Sequence, residues 1–347
     1  MKKTLAALIV TAFAASAANA AVVYDNEGTK VELNGSLRLI MEKADKKEYT
    51  AAGQSTKKAN SALRNAGSRF GITVKHNLDN DFYALGRVEF RFDDTTSRDK
   101  FGGVYAKRAY VGLGSKAIGE LKFGRQLTIA DDLTQANDYD YGFIPKEEYI
   151  PTAGTGVVRY DYKGIEGLQL SANYNFGQTN DEKGNPLKPG IKNAYAVGAL
   201  YTVGDLDARL AYGHTNFETG ASYAHRLDGV LASLGYKFGD FTLTGDFAYG
   251  HEKFDDEKTN KFYVAPGFAY QVLPASKVYG NYLYERVKGE NTKDKTHGFL
   301  LGADYQLHKQ VVLFVEGKYV TTKEYVNDTY DGKTKDRAIG VGMRVFF

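Results

Sequence analysis

The segment at residues 336–347 alternates between apolar and small or charged side chains. The apolar positions are Ile339, Val341, Met343, Val345 and Phe347, and the positions between them include Gly340, Gly342 and Arg344. Because successive side chains of a strand point to opposite faces, this segment predicts a β-strand with one continuous apolar face. Such an edge invites aggregation in a soluble protein, whereas a strand that closes a transmembrane barrel has lipid on one side and the lumen on the other. The pattern therefore favours a transmembrane β-barrel.

The same period of two recurs along the chain, and helical periodicity fits these windows less well. The clearest segments are residues 31–41, 70–74, 168–176, 241–249 and 299–305. The mean hydropathy of −0.42 does not oppose a membrane location, because only alternate residues of a barrel strand face lipid. The chain has only 6 prolines, as expected for strands that need their backbone N–H groups for hydrogen bonds. Its 26 tyrosines and 20 phenylalanines are enough to form the aromatic girdles that barrels carry at the two membrane interfaces. These counts support an all-β membrane protein.

Two classes of connection separate the predicted strands. Seven are short, and eight are longer and more polar. The short ones lie near 77–81, 115–118, 163–166, 203–205, 238–240, 273–276 and 307–309, and the long ones near 43–66, 93–104, 127–154, 178–193, 217–226, 253–260, 289–295 and 325–334. Seven hairpins plus one strand before them and one after them give sixteen strands. We therefore predict a 16-stranded antiparallel transmembrane β-barrel with short periplasmic turns, long extracellular loops and a lumen wide enough for water.

The N-terminal residues have the features of a secretory signal peptide. Lys2 and Lys3 precede an apolar stretch at 5–15, and Ala18-Asn19-Ala20 is a small-residue cleavage site. We therefore assign residues 1–20 to a cleaved signal peptide and 21–347 to a single barrel domain. The net charge of +3 is too small to indicate nucleic-acid binding, and the absence of cysteine excludes a disulfide scaffold.

The sequence offers little to an enzyme hypothesis. The six histidines are scattered without an i, i+4 pair, and no Gly-x-Ser-x-Gly nucleophile motif occurs. We therefore predict a protein without catalytic residues, metal or cofactor.

Several segments resemble the general, non-specific porins of Gram-negative outer membranes, and in detail the outer membrane protein H-type porins. They are residues 21–35, 68–71 (Ser-Arg-Phe-Gly), 107–113, 123–126 and 345–347. The resemblance runs along the whole mature chain in the family's order. It implies a homotrimer set in outer-membrane lipid and lipopolysaccharide, in which each barrel passes small hydrophilic solutes and ions by diffusion.

The resemblance also implies a pore constriction. The family's third loop folds into the barrel and sets acidic groups against a basic wall; here that loop is about 127–154. The acidic candidates are Asp131, Asp138, Asp140, Glu147 and Glu148. The basic candidates are Arg38, Arg69, Arg87, Arg108 and Arg125. All but Arg125 have the lumen-facing parity of their strands, as do Arg91 and Arg159, and an arginine facing lipid near the midplane costs about 2–4 kcal/mol. Arg125 shares the parity of Phe123, so it needs a bulge at Gly124 or an end of the strand.

Plainer interpretations apply to the same residues. A charged loop residue is commonly just solvated surface, and an inward arginine can pair with a local carboxylate such as Glu89 or Asp161.

Two other functions stay open at this point. One is a channel selective for an anion, sugar or nucleotide, and the other is a plugged structural barrel.

Overall fold

The computed structural model describes residues 20–92, 103–219 and 224–347, so the predicted signal peptide lies almost wholly outside the described residues. These residues form one antiparallel sheet of nineteen strand segments. The segments are β1 (Ala21–Asn26), β2 (Thr29–Thr50), β3 (Ser55–Asn65), β4 (Arg69–Asn77), β5 (Phe82–Phe92), β6 (Val104–Ser115), β7 (Gly119–Leu127), β8 (Ala153–Ile165), β9 (Leu168–Asn175), β10 (Gln178–Asn180), β11 (Pro186–Val203), β12 (Leu206–Phe217), β13 (His225–Phe238), β14 (Phe241–Phe254), β15 (Glu257–Leu273), β16 (Ser276–Lys288), β17 (Thr292–His308), β18 (Val311–Val326) and β19 (Thr329–Phe346). Across these ranges no helix is long and apolar enough to span a membrane.

The nineteen segments make sixteen crossings of the barrel. Segments β3 and β4 lie end to end along β2, and β9 and β10 lie end to end along β11. Segment β1 continues the line of β19 along β2, since β19 pairs with residues 36–50 of β2 and β1 with residues 29–33. Pairing of β19 with β2 closes the sheet. The predicted 16-stranded antiparallel barrel is confirmed.

The seven predicted short turns are all present, at residues 78–81, 116–118, 166–167, 204–205, 239–240, 274–275 and 309–310. At the other end of the barrel the prediction of long loops is wrong for five segments, because the ladders continue through polar residues to tight turns. The segment 43–66, for example, is a hairpin with its turn at 51–54. Asn327 and Asp328 close another such turn in the left-handed conformation that two-residue hairpin turns require. Of the other three predicted loops, 93–104 and 217–226 lie partly outside the described residues, and 127–154 is a true loop.

Side chains alternate between the two faces as predicted. Ile339, Val341 and Met343 expose 58%, 51% and 45% of their surface on the outside of the barrel, whereas Gly340 and Gly342 between them are buried. The outer surface is therefore apolar and available to lipid.

The buried apolar residues lie inside the barrel, where residues 128–152 pack against the inner wall. This loop contains two short 3-10 helices, Ile129–Leu133 and Lys146–Glu148. One cluster contains Ile129, Leu133, Tyr149 and Ile150 of the loop with wall residues from β11 to β16. A second cluster contains Tyr141 of the loop with wall residues from β2 and β16 to β19.

Candidate functional site

The loop at 128–152 leaves the end of β7, runs along the inner wall and returns at the start of β8. Thr128 closes its base, because its Oγ1 donates to the carbonyl of Pro151 at 2.6 Å and accepts from the amide of Ala130 at 3.3 Å. Arg159 on β8 donates to the carbonyl of Thr128 at 2.9 Å. The two ends of the loop are thus held together at the wall.

Glu316 on β18 anchors the middle of the loop. Its fully buried carboxylate accepts the backbone N–H groups of Tyr139, Asp140 and Tyr141 at 2.7, 2.9 and 2.6 Å, and the Tyr279 hydroxyl at 2.8 Å. Three consecutive backbone donors that converge on one carboxylate form an anion-binding nest. Because hydrogen bonds to a charged acceptor are the stronger kind, this contact fixes residues 139–141 against β18.

Further polar contacts hold the loop on either side of this anchor. Asp246 on β14 accepts the backbone N–H groups of Gln135 and Ala136 at 3.0 and 3.1 Å. Arg344 on β19 donates to the carbonyl of Tyr139, and its guanidinium lies 4.7 Å from the centre of the Tyr139 ring. The loop therefore follows the inner wall from β8 round to β19, and Tyr141 and Asp140 extend its contacts to β2 and β3.

Glycines on the inner wall make room for the loop. A Cβ on Gly229 would collide with the Tyr149 carbonyl, one on Gly213 with Ile150, and one on Gly298 would press on Phe143. A water-filled lumen has no need for small or apolar residues on its inner face. This run of small residues from β11 to β19 is therefore a sequence signal for loop packing.

The loop acids divide into two groups. Asp131 pairs with Lys146 at 3.3 Å, Asp132 pairs with Arg159 at 2.6 Å, and Asp140 forms an ion pair with Arg64 of β3. Asp138, Glu147 and Glu148 have exposed side chains, and none of the three forms an ion pair or hydrogen bond with another described residue. The free negative charge of the loop is thus on these three residues.

Asp138 has the most perturbed environment of the three. The barrel wall that encloses it and the nearby Glu316 carboxylate raise the pKa of Asp138 to about 6. The Asp138 side chain is also exposed, so water opposes part of this shift.

The arginines gather on the part of the wall that the loop leaves uncovered, around Glu89 of β5. Arg87 donates to this carboxylate at 2.9 Å and Arg91 at 2.8 Å, and Arg69 lies 4.0 Å from it. Arg38 donates to Ser36 at 2.7 Å and has no carboxylate partner in the described ranges. Of the predicted basic wall, Arg69 and Arg87 therefore lie beside the Glu89 carboxylate, whereas the charge of Arg38 has no carboxylate partner among the described residues.

Arg108 and Arg125 lie beside the turn at 181–185. Glu182 in this turn approaches Arg108 at 3.6 Å and Lys107 at 3.0 Å, and Arg125 donates to the Glu182 carbonyl at 3.4 Å. The pairing of β7 with β8 shifts register at Gly124, where φ is +129°, but Arg125 still lies directly opposite the exposed Ala109 of β6 and so keeps the parity of Phe123. Arg125 thus contacts a different group of residues from the Glu89 cluster.

Several residues that build this interior were missed at the sequence level. Glu316, Asp246, Arg64 and Glu182 act through partners that are 75–177 positions away in the chain. Their inward parity was visible, but a single sequence does not show which inward charge meets which loop residue. Arg344 was seen on the charged face of the last strand but not as a contact of the loop.

Comparison with known proteins assigns the family. The model of the Gram-negative porin family matches residues 4–325. The major outer membrane protein of Pasteurella multocida strain Pm70 is 33% identical over 379 aligned positions, which cover all of both chains. The fold is similar to that of the trimer form of OmpT of Vibrio cholerae (TM-score 0.70, 18% identity, 92% of this chain and 100% of that chain). It is also similar to an anion-selective porin from Comamonas acidovorans (TM-score 0.64, 20% identity, 92% and 100%). The chain belongs to the Gram-negative porin family, as a non-enzymatic β-barrel of the outer membrane that forms a diffusion channel.

Proposed function

We propose that this porin is a weakly selective channel in which the loop at 127–154 narrows the lumen. The observation that supports this proposal is the opposition of free charges. Asp138, Glu147 and Glu148 are exposed on the loop without partners among the described residues, and Arg69, Arg87 and Arg91 lie around Glu89 on the wall formed by β4 and β5. Small hydrophilic solutes and ions would pass between the two surfaces.

The physical effect of this arrangement is a transverse field across the water in the lumen. Two opposite charges about 10 Å apart interact by roughly 0.4 kcal/mol in bulk water and by roughly 1.7 kcal/mol at an effective dielectric constant of 20. A dipolar solute can align with such a field, whereas an apolar solute has to disturb oriented water. Because the Debye length is about 8 Å at physiological salt, the bias falls as salt rises.

The charge balance argues for weak rather than strong ion selectivity. Glu89 and Glu182 offset part of the charge of the predicted basic residues Arg38, Arg69, Arg87 and Arg108. The remaining positive charge is of the same order as the three free loop carboxylates. Specific binding of an anion, sugar or nucleotide would instead make the flux of that solute saturate, which separates the two functions experimentally.

We also propose that this chain is an outer membrane protein H-type porin and that it assembles as a homotrimer. Support comes from the relative in Pasteurella multocida and from the structural neighbour described as a trimer. The contact would use the apolar outer face of β2 to β7, where Leu63, Val111 and Leu113 are exposed. Residues 1–20 would be the cleaved signal peptide, and the end with the short turns would face the periplasm.

Single-channel recording of the purified mature protein in a planar bilayer tests this proposal. We expect open steps that arrive in threes, a conductance that rises with bulk salt, and a small reversal potential in a salt gradient. Linear uptake of small sugars into proteoliposomes would agree with general diffusion. Saturable uptake of one solute would support the selective channel instead, and closed, folded barrels would contradict both.

A further inference from the structure

Three cations of β6 and β7 gather at the end of the barrel opposite the short turns, and we name them the cation cluster. They are Lys107, Arg108 and Arg125. The carboxylate of Glu182 lies 3.0 Å from Nζ of Lys107 and 3.6 Å from Nη1 of Arg108. Arg125 donates to the backbone carbonyl of the same glutamate at 3.4 Å, which is a neutral acceptor. Among the described residues, the three positive charges of the cluster are thus offset by one carboxylate in ion-pair contact.

The turn at 181–185 that carries Glu182 is held by its own hydrogen bonds. Asp181 accepts two backbone N–H groups of the turn at 2.9 and 2.8 Å, and the side-chain amide of Asn185 at 2.8 Å. Gln178, just before the turn, accepts the backbone N–H of Thr155 on β8 at 2.9 Å. From the line of β10 to β6 is three strand spacings, or roughly 14 Å. The turn therefore crosses above β8 and β7 as a strap and presents Glu182 to the cation cluster.

The contacts of Glu182 are those of a bound ligand. Lys107 and Arg108 hold its side-chain carboxylate, and Arg125 holds its carbonyl. A free peptide that ends in glutamate has the same carbon skeleton, with an α-carboxylate where Glu182 has the carbonyl. Because hydrogen bonds between two charged groups are the stronger kind, Arg125 holds an α-carboxylate more tightly than it holds a carbonyl. An acylated amine fits better than a free ammonium, which would add a positive charge beside the cluster.

We propose that the cation cluster is a binding site for acidic peptides that end in glutamate, and that Glu182 occupies it as a tethered competitor. The side chains of Lys107 and Glu182 are 19% and 18% exposed, so a solute can exchange with the strap. Tethering gives Glu182 a high effective concentration, so dilute anions do not displace it. Access of the peptide to this site rests on the channel proposed above, whereas binding itself does not require the loop at 127–154 to narrow the lumen.

Calorimetric titration of the purified barrel in neutral detergent with N-acetylglutamate measures binding directly. Glu182→Gln should bind this ligand roughly tenfold more tightly than the wild type or better, because the tethered carboxylate is gone. Addition of Lys107→Gln to this variant should remove the gain. Glu257→Gln, at an exposed glutamate of another hairpin, is the matched control and should bind like the wild type. Equal affinities of the wild type and Glu182→Gln would overturn the proposal.

A set of related ligands tests what the site recognises. N-acetylglutamine lacks the side-chain carboxylate, and the α-amide of N-acetylglutamate lacks the α-carboxylate. Both should bind Glu182→Gln more weakly than N-acetylglutamate does. Inorganic sulfate that binds as tightly as N-acetylglutamate would reduce the cluster to a simple anion site and refute the peptide assignment.

Loosening the strap without removing its charge tests the tethered competitor. Asp181→Ala removes the hydrogen bonds that close the turn, so it should tighten binding of N-acetylglutamate by less than Glu182→Gln does. Single-channel current in potassium chloride separates this site from the proposed channel. Barrels that conduct but show no gain in affinity on Glu182→Gln would contradict the peptide site alone. Barrels that show this gain but stay closed would support the site and contradict the channel alone.

Discussion

Glu316→Ala is the substitution that most directly tests whether the loop at 127–154 narrows the channel. The wild-type carboxylate accepts three backbone N–H groups and one hydroxyl, at 2.6–2.9 Å. Hydrogen bonds to charged groups contribute about 1.5–3 kcal/mol each, so the four total roughly 6–12 kcal/mol before water replaces any of them. Because lumen water can hydrate the freed amides, we expect a net loss of about 2–5 kcal/mol in docking of residues 139–141. That loss shifts the docking equilibrium by roughly 30-fold to several thousand-fold.

Single-channel conductance and sugar uptake into proteoliposomes measure the result. With the middle of the loop released from β18, conductance should rise and larger sugars should enter. Tyr279→Phe removes one of the four bonds and should have a much smaller effect. Glu324→Ala is the matched control, because Glu324 has the same inward parity on the same strand but is exposed near the hairpin end. A Glu316→Ala barrel with wild-type conductance and the same sugar cutoff would refute the constriction.

Three further predictions concern ion selectivity, each measured as the reversal potential in a salt gradient. Asp138→Asn with Glu147→Gln should lower the preference for cations, because both carboxylates are free. Asp140→Asn alone should change the preference less, since Asp140 is paired with Arg64. Equal shifts of the reversal potential would contradict the division of the loop acids into paired and free groups. Glu182→Gln should move selectivity toward anions, because it leaves the charges of Lys107 and Arg108 without their carboxylate partner. Glu257→Gln, at an exposed glutamate, is the control, and equal shifts in the two variants would contradict the role of Glu182 in offsetting these cations. Lowering the pH from about 7 to 4 should reduce the cation preference, because the raised pKa of Asp138 makes it lose its charge at a higher pH than an ordinary aspartate. Asp138→Asn should remove the part of this pH-dependent change that occurs at the higher pH values.

Most of the barrel could be predicted from the sequence because its determinants are local. Side-chain alternation with a period of two reports which face meets lipid, and glycine, asparagine and aspartate mark the tight turns. All seven short turns and the total of sixteen crossings followed from these signals. The long loops were overestimated because a hairpin ladder needs only backbone hydrogen bonds. Polar residues such as those at 43–50 therefore extend β2 without any apolar signal.

The interior of the channel depends on contacts between distant parts of the chain. Alternation identifies Arg38, Arg69 and Glu316 as inward, but it does not give their partners. Only the closed barrel brings Glu316 to the loop residues near position 140 and gathers three arginines around Glu89. It also separates the free Asp138 from the paired Asp140, two positions away in the chain. Local side-chain periodicity thus determined the wall, and the distribution of free charge inside it was decided by long-range packing, because an ion pair depends on distance in space and not on position in the sequence.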